Sequence, residues 1–256
     1  MLMNNKKVVV MGVANKWSIA WGIARKLRDN GADVIYTYYG DSSERNLKKI
    51  LAKENDEDAL LISCDVTNDE DIARAFNEIS EKIGKIDGVV HSIAHAKKEE
   101  LEGRYLDTSR DGYLMAQEIS SYSLVATTKQ AVKHLNEDGA IITLTYLGGE
   151  RVVPNYNVMG VAKAALEASV KYLAADIGKD GFRINALSAG PIKTLAAKGV
   201  SGLDEMKDAY LAKAPLKRMV THDDISKTAM FLVSDLSSGV TGETIHVDCG
   251  FHIIGV

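Results

Sequence analysis

The amino-acid sequence predicts an α/β fold built on a parallel β-sheet. Short apolar, β-branched runs recur along the chain, and segments with a helical pattern separate most of them. No internal repeat or linker interrupts the 256 residues. Strands of a parallel sheet are buried on both faces, so their sequences are almost continuously apolar, as these runs are.

Seven apolar runs are predicted to form the strands of this sheet. Each is short, rich in valine and isoleucine or similar residues, and bounded by polar residues or glycine. The runs cover residues 6–12, 32–39, 59–66, 86–94, 139–148, 182–190 and 243–250.

Five segments between the strands are predicted to be helices, and glycines at 31, 84 and 178 provide stop signals for three of them. They cover residues 18–31, 69–84, 110–135, 157–178 and 222–235. Together with the strands they predict a Rossmann-like, doubly wound sheet of about seven parallel strands, with helices on both faces. We expect a single domain over residues 1–256, with ligands bound outside the carboxyl ends of the strands.

Composition argues against several classes of protein. The net charge is −4 with both signs scattered, whereas a nucleic-acid surface usually clusters basic residues. Neither a signal-peptide core nor an apolar run of about 18 residues is present, so we expect no membrane span.

Two cysteines without metal-pair spacing fit a reduced cytoplasmic setting. His91 and His95 are four apart, but "GVVHSIAHA" indicates a strand entering a loop, so no metal site is predicted.

The turn after the first strand, "MGVANKWSIAWG", is a candidate phosphate-binding site. It lacks the G-x-G-x-x-G fingerprint of dinucleotide-binding folds, but Gly12 would let the backbone approach a phosphate. Ser18 and Ile19 would open the following helix, whose N–H groups would face a pyrophosphate. The Ser18 hydroxyl would cap the helix or contact phosphate. A simple strand-to-helix turn is the alternative interpretation.

The end of the second strand bears on the choice of cofactor. Arginine at this point favours the extra phosphate of NADP, whereas an acidic residue favours the free ribose of NAD. The sequence "YTYYGDSSERN" has no basic residue at Tyr38, Tyr39 or Gly40, and Asp41 follows. Arg45 lies further along. We therefore expect NADH, with Tyr39 either lining an adenine-ribose pocket or standing as a surface tyrosine.

The next two strands end in further candidate cofactor contacts. Asp65 and Val66 follow the third strand, where an adenine edge could be recognised. Asp65 could equally cap the next helix, a role for which Thr67 and Asn68 compete. Three residues at the end of the fourth strand are expected beside the cofactor ribose: Ser92, Ile93 and Ala94.

Tyr156 and Lys163 are the candidate catalytic pair. Seven helical residues come within about 20° of two full turns, so both side chains would leave one helix face, about 10.5 Å apart at their α-carbons. Lys163 would reach the ribose of a nicotinamide cofactor while Tyr156 points at a substrate. The positive charge would favour tyrosinate and so make the phenol a better donor. A semi-buried tyrosine and an unrelated surface lysine are the alternative.

Residues near the ends of the fifth and sixth strands support the catalytic interpretation. Tyr146 ends "TLTY" and would bring a second phenol to the same edge of the sheet. In "SAGPIKTLAAKGV" the backbone of Ile192 and the hydroxyl of Thr194 could fix a carboxamide such as that of nicotinamide. The weakly patterned residues around 194–212 are predicted to form a mobile lid over an apolar substrate.

Six segments together closely resemble the bacterial enoyl-acyl-carrier-protein reductases, a divergent branch of the short-chain dehydrogenase/reductases. The segments are "MGVANKWSIAWG", "HSIAHA", "TYLGGE", "NYNVMGVAKAALEA", "SAGPIKTLAAKG" and "SSGVTGETIHVDCGFH". The resemblance runs from about residue 5 to residue 252. Its most specific feature is the six-residue gap between Tyr156 and Lys163, since ordinary short-chain enzymes have a gap of three.

This resemblance implies a reaction and residue roles. The family reduces the trans-2 double bond of an enoyl thioester on acyl carrier protein during fatty acid elongation, with hydride passing to the β-carbon and an enolate forming at the thioester oxygen. Tyr156 would then hydrogen-bond that oxygen, Lys163 would hold the nicotinamide ribose, and Tyr146 would assist or shape the pocket. The backbone of Ala96 would lie beside the substrate.

The resemblance also implies a homotetramer and sensitivity to diphenyl-ether inhibitors of the triclosan type. The cofactor contacts that it implies are Gly12, Ser18, Ile19, Asp65, Val66, Ile93, Lys163, Ile192 and Thr194. One departure is His95, where many members carry phenylalanine. Two other functions stay open: a short-chain ketone or alcohol dehydrogenase, and a nucleotide-binding regulator that has lost catalysis.

Overall fold

A computed structural model describes residues 1–192, 208 and 210–255 of the chain. Most of the segment predicted to be a lid, around 194–212, therefore lies outside the described residues, and so does Thr194.

The sheet has the predicted parallel, doubly wound arrangement. Within the described ranges seven strands pair in the order β3-β2-β1-β4-β5-β6-β7, and every pairing is parallel. The strands are β1 Lys7–Met11, β2 Asp33–Tyr38, β3 Leu61–Ser63, β4 Ile86–His91, β5 Leu135–Thr145, β6 Arg183–Ala189 and β7 Thr244–Val247. The predicted fold class is confirmed, although β3 and β7 are shorter than expected and β5 begins earlier.

Helices cover both faces of this sheet. Among the described residues they are α1 Ile19–Arg28, α2 Gly40–Ala52, α3 Asp69–Ile83, α4 Arg110–Gln117, α5 Ser123–Ala131, α6 Asn157–Gly178 and α7 His222–Val233. Helix α2 was not predicted because its sequence, "GDSSERNLKKILA", is mostly polar and buries only Leu47 and Leu51. Those two leucines are four positions apart, which is enough to hold one face of a helix against the sheet.

The predicted long helix over 110–135 is interrupted. A π-helical segment, Glu118–Tyr122, joins α4 to α5, and the helical path ends at Ala131. A π-helical turn carries one extra residue per hydrogen-bonded turn, which shifts the side chains that follow it around the axis. Here the shifted residues include Ser120, Ser121 and Ser123, all of them buried.

The core consists of two layers, one on each face of the sheet. Alternate residues of β1 show the division, since Val8 and Val10 join one apolar cluster while Val9 and Met11 join the other. Both clusters are fully apolar at their centres, which explains why the strands are continuously hydrophobic. No helix in the described part of the chain is long and apolar enough to cross a membrane.

Strand order reverses between β1 and β4, and this point positions the site. The strands run outward from β1 to β3 on one side and from β4 to β7 on the other. Met11 and His91, the last residues of β1 and β4, are paired in register. A doubly wound sheet leaves a crevice at the carboxyl ends of two such strands, and ligands usually bind there.

Candidate active site

Gly12 lies where the backbone segments that follow β1 and β4 come together. The amide of Ser92 donates to the carbonyl of Met11 at 3.2 Å. A β-carbon at position 12 would lie 2.0 Å from the Ser92 carbonyl oxygen, and the φ of Gly12 is +90°, so only glycine fits. The structure thus brings Gly12, Ser92 and Ile93 together, while Ala94 is exposed at the edge of the crevice.

The N-terminus of α1 has no side-chain cap. Ser18 stands at the N-cap, yet its side chain makes no capping bond, because its hydroxyl donates to the Asn15 carbonyl at 2.6 Å. Ile19 begins the helix and is half-buried. Of the two roles expected for Ser18, capping is therefore wrong in this structure. The Ser18 side chain therefore caps no amide of the first turn, and uncapped amides at a helix N-terminus fit the pyrophosphate of a dinucleotide.

The structure shows which residue caps the helix that follows β3. Asn68 caps α3, accepting from the Asp71 amide at 3.0 Å. Asp65 instead closes a turn by accepting from the amide and the hydroxyl of Thr67, at 2.9 and 2.7 Å. Tyr39 is 67% exposed at the N-cap of α2. Asp65 and half-buried Val66 lie at the carboxyl end of the sheet, as expected.

His91 is a structural residue of the buried layer. Its Nδ1 lies 3.0 Å from the Thr143 hydroxyl and its Nε2 lies 2.9 Å from the Ser123 hydroxyl. Burial, followed by the positive charge of Lys163, lowers the pKa of His91 to about 3, so the ring is neutral near neutral pH. Both ring nitrogens are committed to hydroxyls rather than to a metal.

Ser120, in the π-helical segment, is a residue that the sequence did not single out. Its hydroxyl accepts from the amide of His95 at 2.9 Å and donates to the carbonyl of the same residue at 3.1 Å. This paired contact holds the loop that leads to Ala96. Only the irregular helix places Ser120 there, and a regular helical pattern could not reveal it.

Tyr146 and Tyr156 form the centre of the site. Their rings are 5.1 Å apart between centroids and meet edge to face at 73°. Tyr146 directly follows β5, as predicted. Tyr156 is not inside a helix but precedes α6, which begins at Asn157. Tyr156 is the N-cap residue, and the positive φ of Asn157, +32°, makes the entry into α6 irregular. That Tyr156 and Lys163 share one helix face stays a prediction.

Gly148 allows the ring of Tyr156 to approach the turn after Tyr146. A β-carbon at Gly148 would lie 2.3 Å from Cδ1 of Tyr156. At Gly160, in the first turn of α6, a β-carbon would lie 2.7 Å from the Gly148 carbonyl oxygen. Both glycines are thus required by close packing, and they bring the turn after β5 onto the start of α6.

The amine of Lys163, on α6, reaches the end of β5, two residues before Tyr146. The side chain is buried, and its Nζ donates to the Leu144 carbonyl of β5 at 2.7 Å. Burial lowers the pKa of Lys163 to about 8, against which the charge of Glu167 acts to raise it. The amine is therefore poised to carry a proton near neutral pH.

The expectation that the charge of Lys163 favours ionisation of the Tyr156 phenol does not fit this environment. Burial raises the pKa of the Tyr156 phenol far above its ordinary value, and the neighbouring Tyr146 and Glu167 raise it further. Burial also raises the pKa of Tyr146. Both phenols therefore stay protonated, and a protonated phenol donates a hydrogen bond without becoming charged.

Ala96 and Ile192 lie on two sides of the crevice. Half-buried Ala96 packs on the same small apolar cluster as Tyr156, and its place beside the substrate stays a prediction. Ile192 is half-buried and packs on the core layer that includes α1 and α7. Thr194, its predicted partner for a carboxamide, lies outside the described residues.

The arrangement combines parts that serve redox chemistry with a dinucleotide. A glycine turn and an open helix N-terminus lie at the switch point of a doubly wound sheet, as in dinucleotide-binding domains. Two protonated phenols and a buried amine lie at the end of the neighbouring strand β5. Phenols in such a position stabilise negative charge that develops on a substrate oxygen. The fold and site thus define a nicotinamide-dependent oxidoreductase of the doubly wound class.

Comparison with known proteins narrows this class. A family model described as Enoyl-(Acyl carrier protein) reductase matches residues 12–252. A Bacillus cereus protein named enoyl-[acyl-carrier-protein] reductase [NADH] is 54% identical over 254 residues, covering 99% of each chain. A Staphylococcus aureus relative named as the NADPH enzyme is 53% identical over 252 residues, covering 98% of each. The chain belongs to the enoyl-acyl-carrier-protein reductase family.

Solved structures agree with this membership. A crystal structure of the Bacillus cereus enoyl-acyl carrier protein reductase with NADP+ and indole naphthyridinone has a TM-score of 0.97 at 54% identity. It covers 100% of this chain and 99% of its own. The NADH enzyme from Aquifex aeolicus has a TM-score of 0.94 at 45% identity, with complete coverage of both chains.

Proposed function

We propose that the chain reduces the trans-2 double bond of enoyl thioesters carried on acyl carrier protein, with NADH, in fatty acid elongation. The observation that carries this proposal is the edge-to-face contact between half-buried Tyr146 and half-buried Tyr156, whose rings are 5.1 Å apart, together with buried Lys163 of α6. Two donors of high pKa beside an amine of lowered pKa suit a reaction in which negative charge appears on a thioester oxygen.

The residues at the switch point fit NADH. Gly12 and the first turn of α1 would hold the pyrophosphate, and Ser92, Ile93 and Ala94 would line the ribose and the ring. Asp65 and Val66 would meet the adenine, and Tyr39 the ribose next to it. Ile192, with Thr194, would orient the carboxamide of the ring. When bound, NADH supplies the hydride that reduces the β-carbon of the substrate.

The side chains around the substrate would then stabilise charge and exclude water. The Tyr156 hydroxyl would donate to the thioester oxygen as negative charge develops there. The ring of Tyr146, which meets the Tyr156 ring edge to face, would hold Tyr156 in position. The Lys163 ammonium would donate to the ribose hydroxyls once its Leu144 contact is exchanged. Ala96 and the small apolar cluster beneath it form the dry wall of the substrate site.

Family membership and the exposed apolar surface both bear on how the chain assembles and what it binds. We infer that the chain assembles as a homotetramer and binds diphenyl-ether inhibitors of the triclosan type. Segment 105–122 supports assembly because it exposes apolar side chains, which in soluble proteins usually mark contact surfaces. Light scattering would test the assembly, and a mass of about four times 27.8 kDa is expected.

The test of this function compares an enoyl thioester with a 3-ketoacyl thioester of the same chain length. We expect NADH oxidation with the enoyl substrate and at most about 1% of that rate with the ketone. The converse ratio would favour a short-chain ketone or alcohol dehydrogenase. Binding of NADH without turnover of either substrate would favour a nucleotide-binding regulator.

A further inference from the structure

Glu167 is a buried carboxylate that the proposed chemistry does not use. It lies on α6 four positions after Lys163, so the two side chains share one face of the helix, a turn apart. Both are buried, with 9% and 5% of the residue surface exposed. A buried carboxylate is costly unless it is hydrogen-bonded and paired with positive charge, so its presence here calls for a reason.

Strand β5 provides contacts to both ionisable groups. The Leu144 carbonyl accepts from Lys163 Nζ at 2.7 Å, and the next residue, Thr145, donates its hydroxyl to Glu167 Oε1 at 2.5 Å. Tyr146 follows immediately. Two consecutive residues of β5 are therefore tied to a cation and to an anion of α6, immediately before the proposed donor Tyr146.

The turn after Tyr146 is shaped around the same carboxylate. A β-carbon at Gly149 would lie 2.6 Å from Glu167 Oε1 and 3.1 Å from the backbone carbon of Lys163. The turn therefore passes directly over Glu167, and only glycine leaves room for the carboxylate. This close approach holds the Tyr146–Gly149 segment against α6.

We propose that Glu167 is a positioning residue of the active site, which ties the end of β5 to α6 through Thr145 and supplies the negative charge that keeps buried Lys163 an ammonium. This inference rests on the proposed function, in which Lys163 holds the ribose of NADH. An ammonium donates three hydrogen bonds, whereas the neutral amine is a weaker donor. Loss of the carboxylate should therefore weaken NADH binding in a pH-dependent way.

The electrostatic surroundings support this role. Burial lowers the pKa of Lys163 to about 8, and Glu167 opposes that effect. The other titratable groups that face the Lys163–Glu167 pair come from several elements: His91 of β4, Tyr146 after β5, Glu150 of the next turn, Tyr156 before α6 and His246 of β7. His91 is neutral near neutral pH, and Glu150 is an exposed residue that contacts His246 at 2.7 Å. Glu167 is thus the buried carboxylate of this group.

The test is the pH dependence of NADH binding without substrate, followed by NADH fluorescence between pH 6 and 9.5. In the wild type we expect affinity to fall as pH rises through about 8, where Lys163 loses its proton. In Glu167→Gln this fall should begin about one pH unit lower, so that affinity at pH 8 drops about fivefold while affinity at pH 6 stays within about twofold. Glu167→Asp, which keeps the charge, should restore the wild-type curve.

Two further variants separate charge from folding. Asp176→Asn removes an exposed carboxylate further along α6 and should leave the pH curve unchanged. Thr145→Val keeps the volume but removes the donor to Glu167, so it should move the curve in the same direction by less. This variant also tests the inference if Glu167→Gln does not fold.

Three results would overturn the inference: an unshifted curve in both Glu167→Gln and Thr145→Val, a loss of affinity that is equal at all pH values, or a wild-type curve without a fall near pH 8. The first two would leave the proposed function intact, because they concern only how Lys163 is held. A wild-type protein that binds no NADH would instead contradict the proposed function itself, and the inference with it.

Discussion

Tyr156 and Lys163 have different roles in the proposed reaction. Tyr156 stabilises charge on the substrate, whereas Lys163 binds the cofactor. Removing the Tyr156 hydroxyl in Tyr156→Phe takes away a donor that matters only when charge develops on the substrate. We expect kcat to fall about 100-fold to 1,000-fold, as when one oxyanion donor is removed. The dissociation constant for NADH should stay within about twofold.

Lys163→Ala should show the opposite pattern, with NADH affinity reduced by roughly tenfold or more, because hydrogen bonds from a charged group are lost. Direct NADH titration together with steady-state kinetics measures both effects. If Tyr156→Phe abolished NADH binding, the role assigned to the phenol would be wrong.

Gly148 offers a test of the packing around Tyr156. A methyl group there would lie 2.3 Å from the ring, so Gly148→Ala must displace Tyr156. We expect kcat to fall at least about tenfold, because small misplacements of reacting groups are costly, with NADH affinity nearly unchanged. Gly178 is the last residue of α6, and Gly178→Ala places its methyl group in open space, so it serves as the matched control. Equal kinetics for the two variants would contradict the assigned position of the ring.

The individual site residues show what sequence reasoning could reach. Gly12, Tyr146, Tyr156 and Lys163 were identified because each follows a strand or has a family-specific spacing. Glu167 was missed because its partner Thr145 is 22 positions away in sequence, on another element. The raised pKa of Tyr156 was missed for a similar reason, since burial depends on tertiary packing, which the spacing to a lysine does not reveal.

At the scale of elements, helix α2 bears on cofactor choice. It begins at Gly40, directly after β2, and carries Asp41 in its first turn. An exposed carboxylate there would repel the additional phosphate of NADPH. We expect kcat/KM with NADH to exceed that with NADPH by about tenfold or more, and Asp41→Lys to reduce the ratio.

A matched control is Asp176→Lys, an exposed acidic residue of α6 away from the sheet edge. It changes the charge of the chain by the same amount and should leave the NADH to NADPH ratio unaltered. A wild-type preference for NADPH would contradict the expectation that this end of β2 is shaped for NADH.

Elements were predicted well where their pattern is apolar and poorly where it is polar or irregular. The seven strands of the described residues were predicted because each is a short, largely apolar run, including β7, whose four residues are only half-buried. Helix α2 was missed because it buries only two leucines. The π-helical segment at Glu118–Tyr122 was hidden inside a pattern that fits a regular helix, and the contact of Ser120 with His95 was hidden with it.

At the scale of the whole molecule, buried His91 predicts how stability depends on pH. Its pKa is about 3 in the folded protein against an ordinary value of 6.5, so the unfolded chain takes up a proton first as pH falls. The stabilisation is therefore complete above about pH 6.5 and is lost as pH falls towards 3. At pH 5 the loss should be about 2 kcal/mol.

Urea unfolding at pH 7 and pH 5 measures this effect, with His91→Asn compared against the wild type. The wild-type protein should lose more stability between the two pH values than His91→Asn does. His95→Asn, which alters an exposed histidine, should behave as the wild type does. An identical pH dependence in His91→Asn and the wild type would show that the ring is not held neutral.

The reduction of a carbon–carbon double bond is the central claim, and the fate of the transferred hydrogen tests it most directly. The measurement uses NADH deuterated at the transferring position with a trans-2-enoyl thioester, and mass spectrometry and NMR locate the label. We predict a saturated thioester that carries one deuterium at the β-carbon, formed by the wild type and about 100-fold or more slowly by Tyr156→Phe. Label on a carbon that bears a hydroxyl group, or NADH oxidation without a saturated product, would contradict the claim.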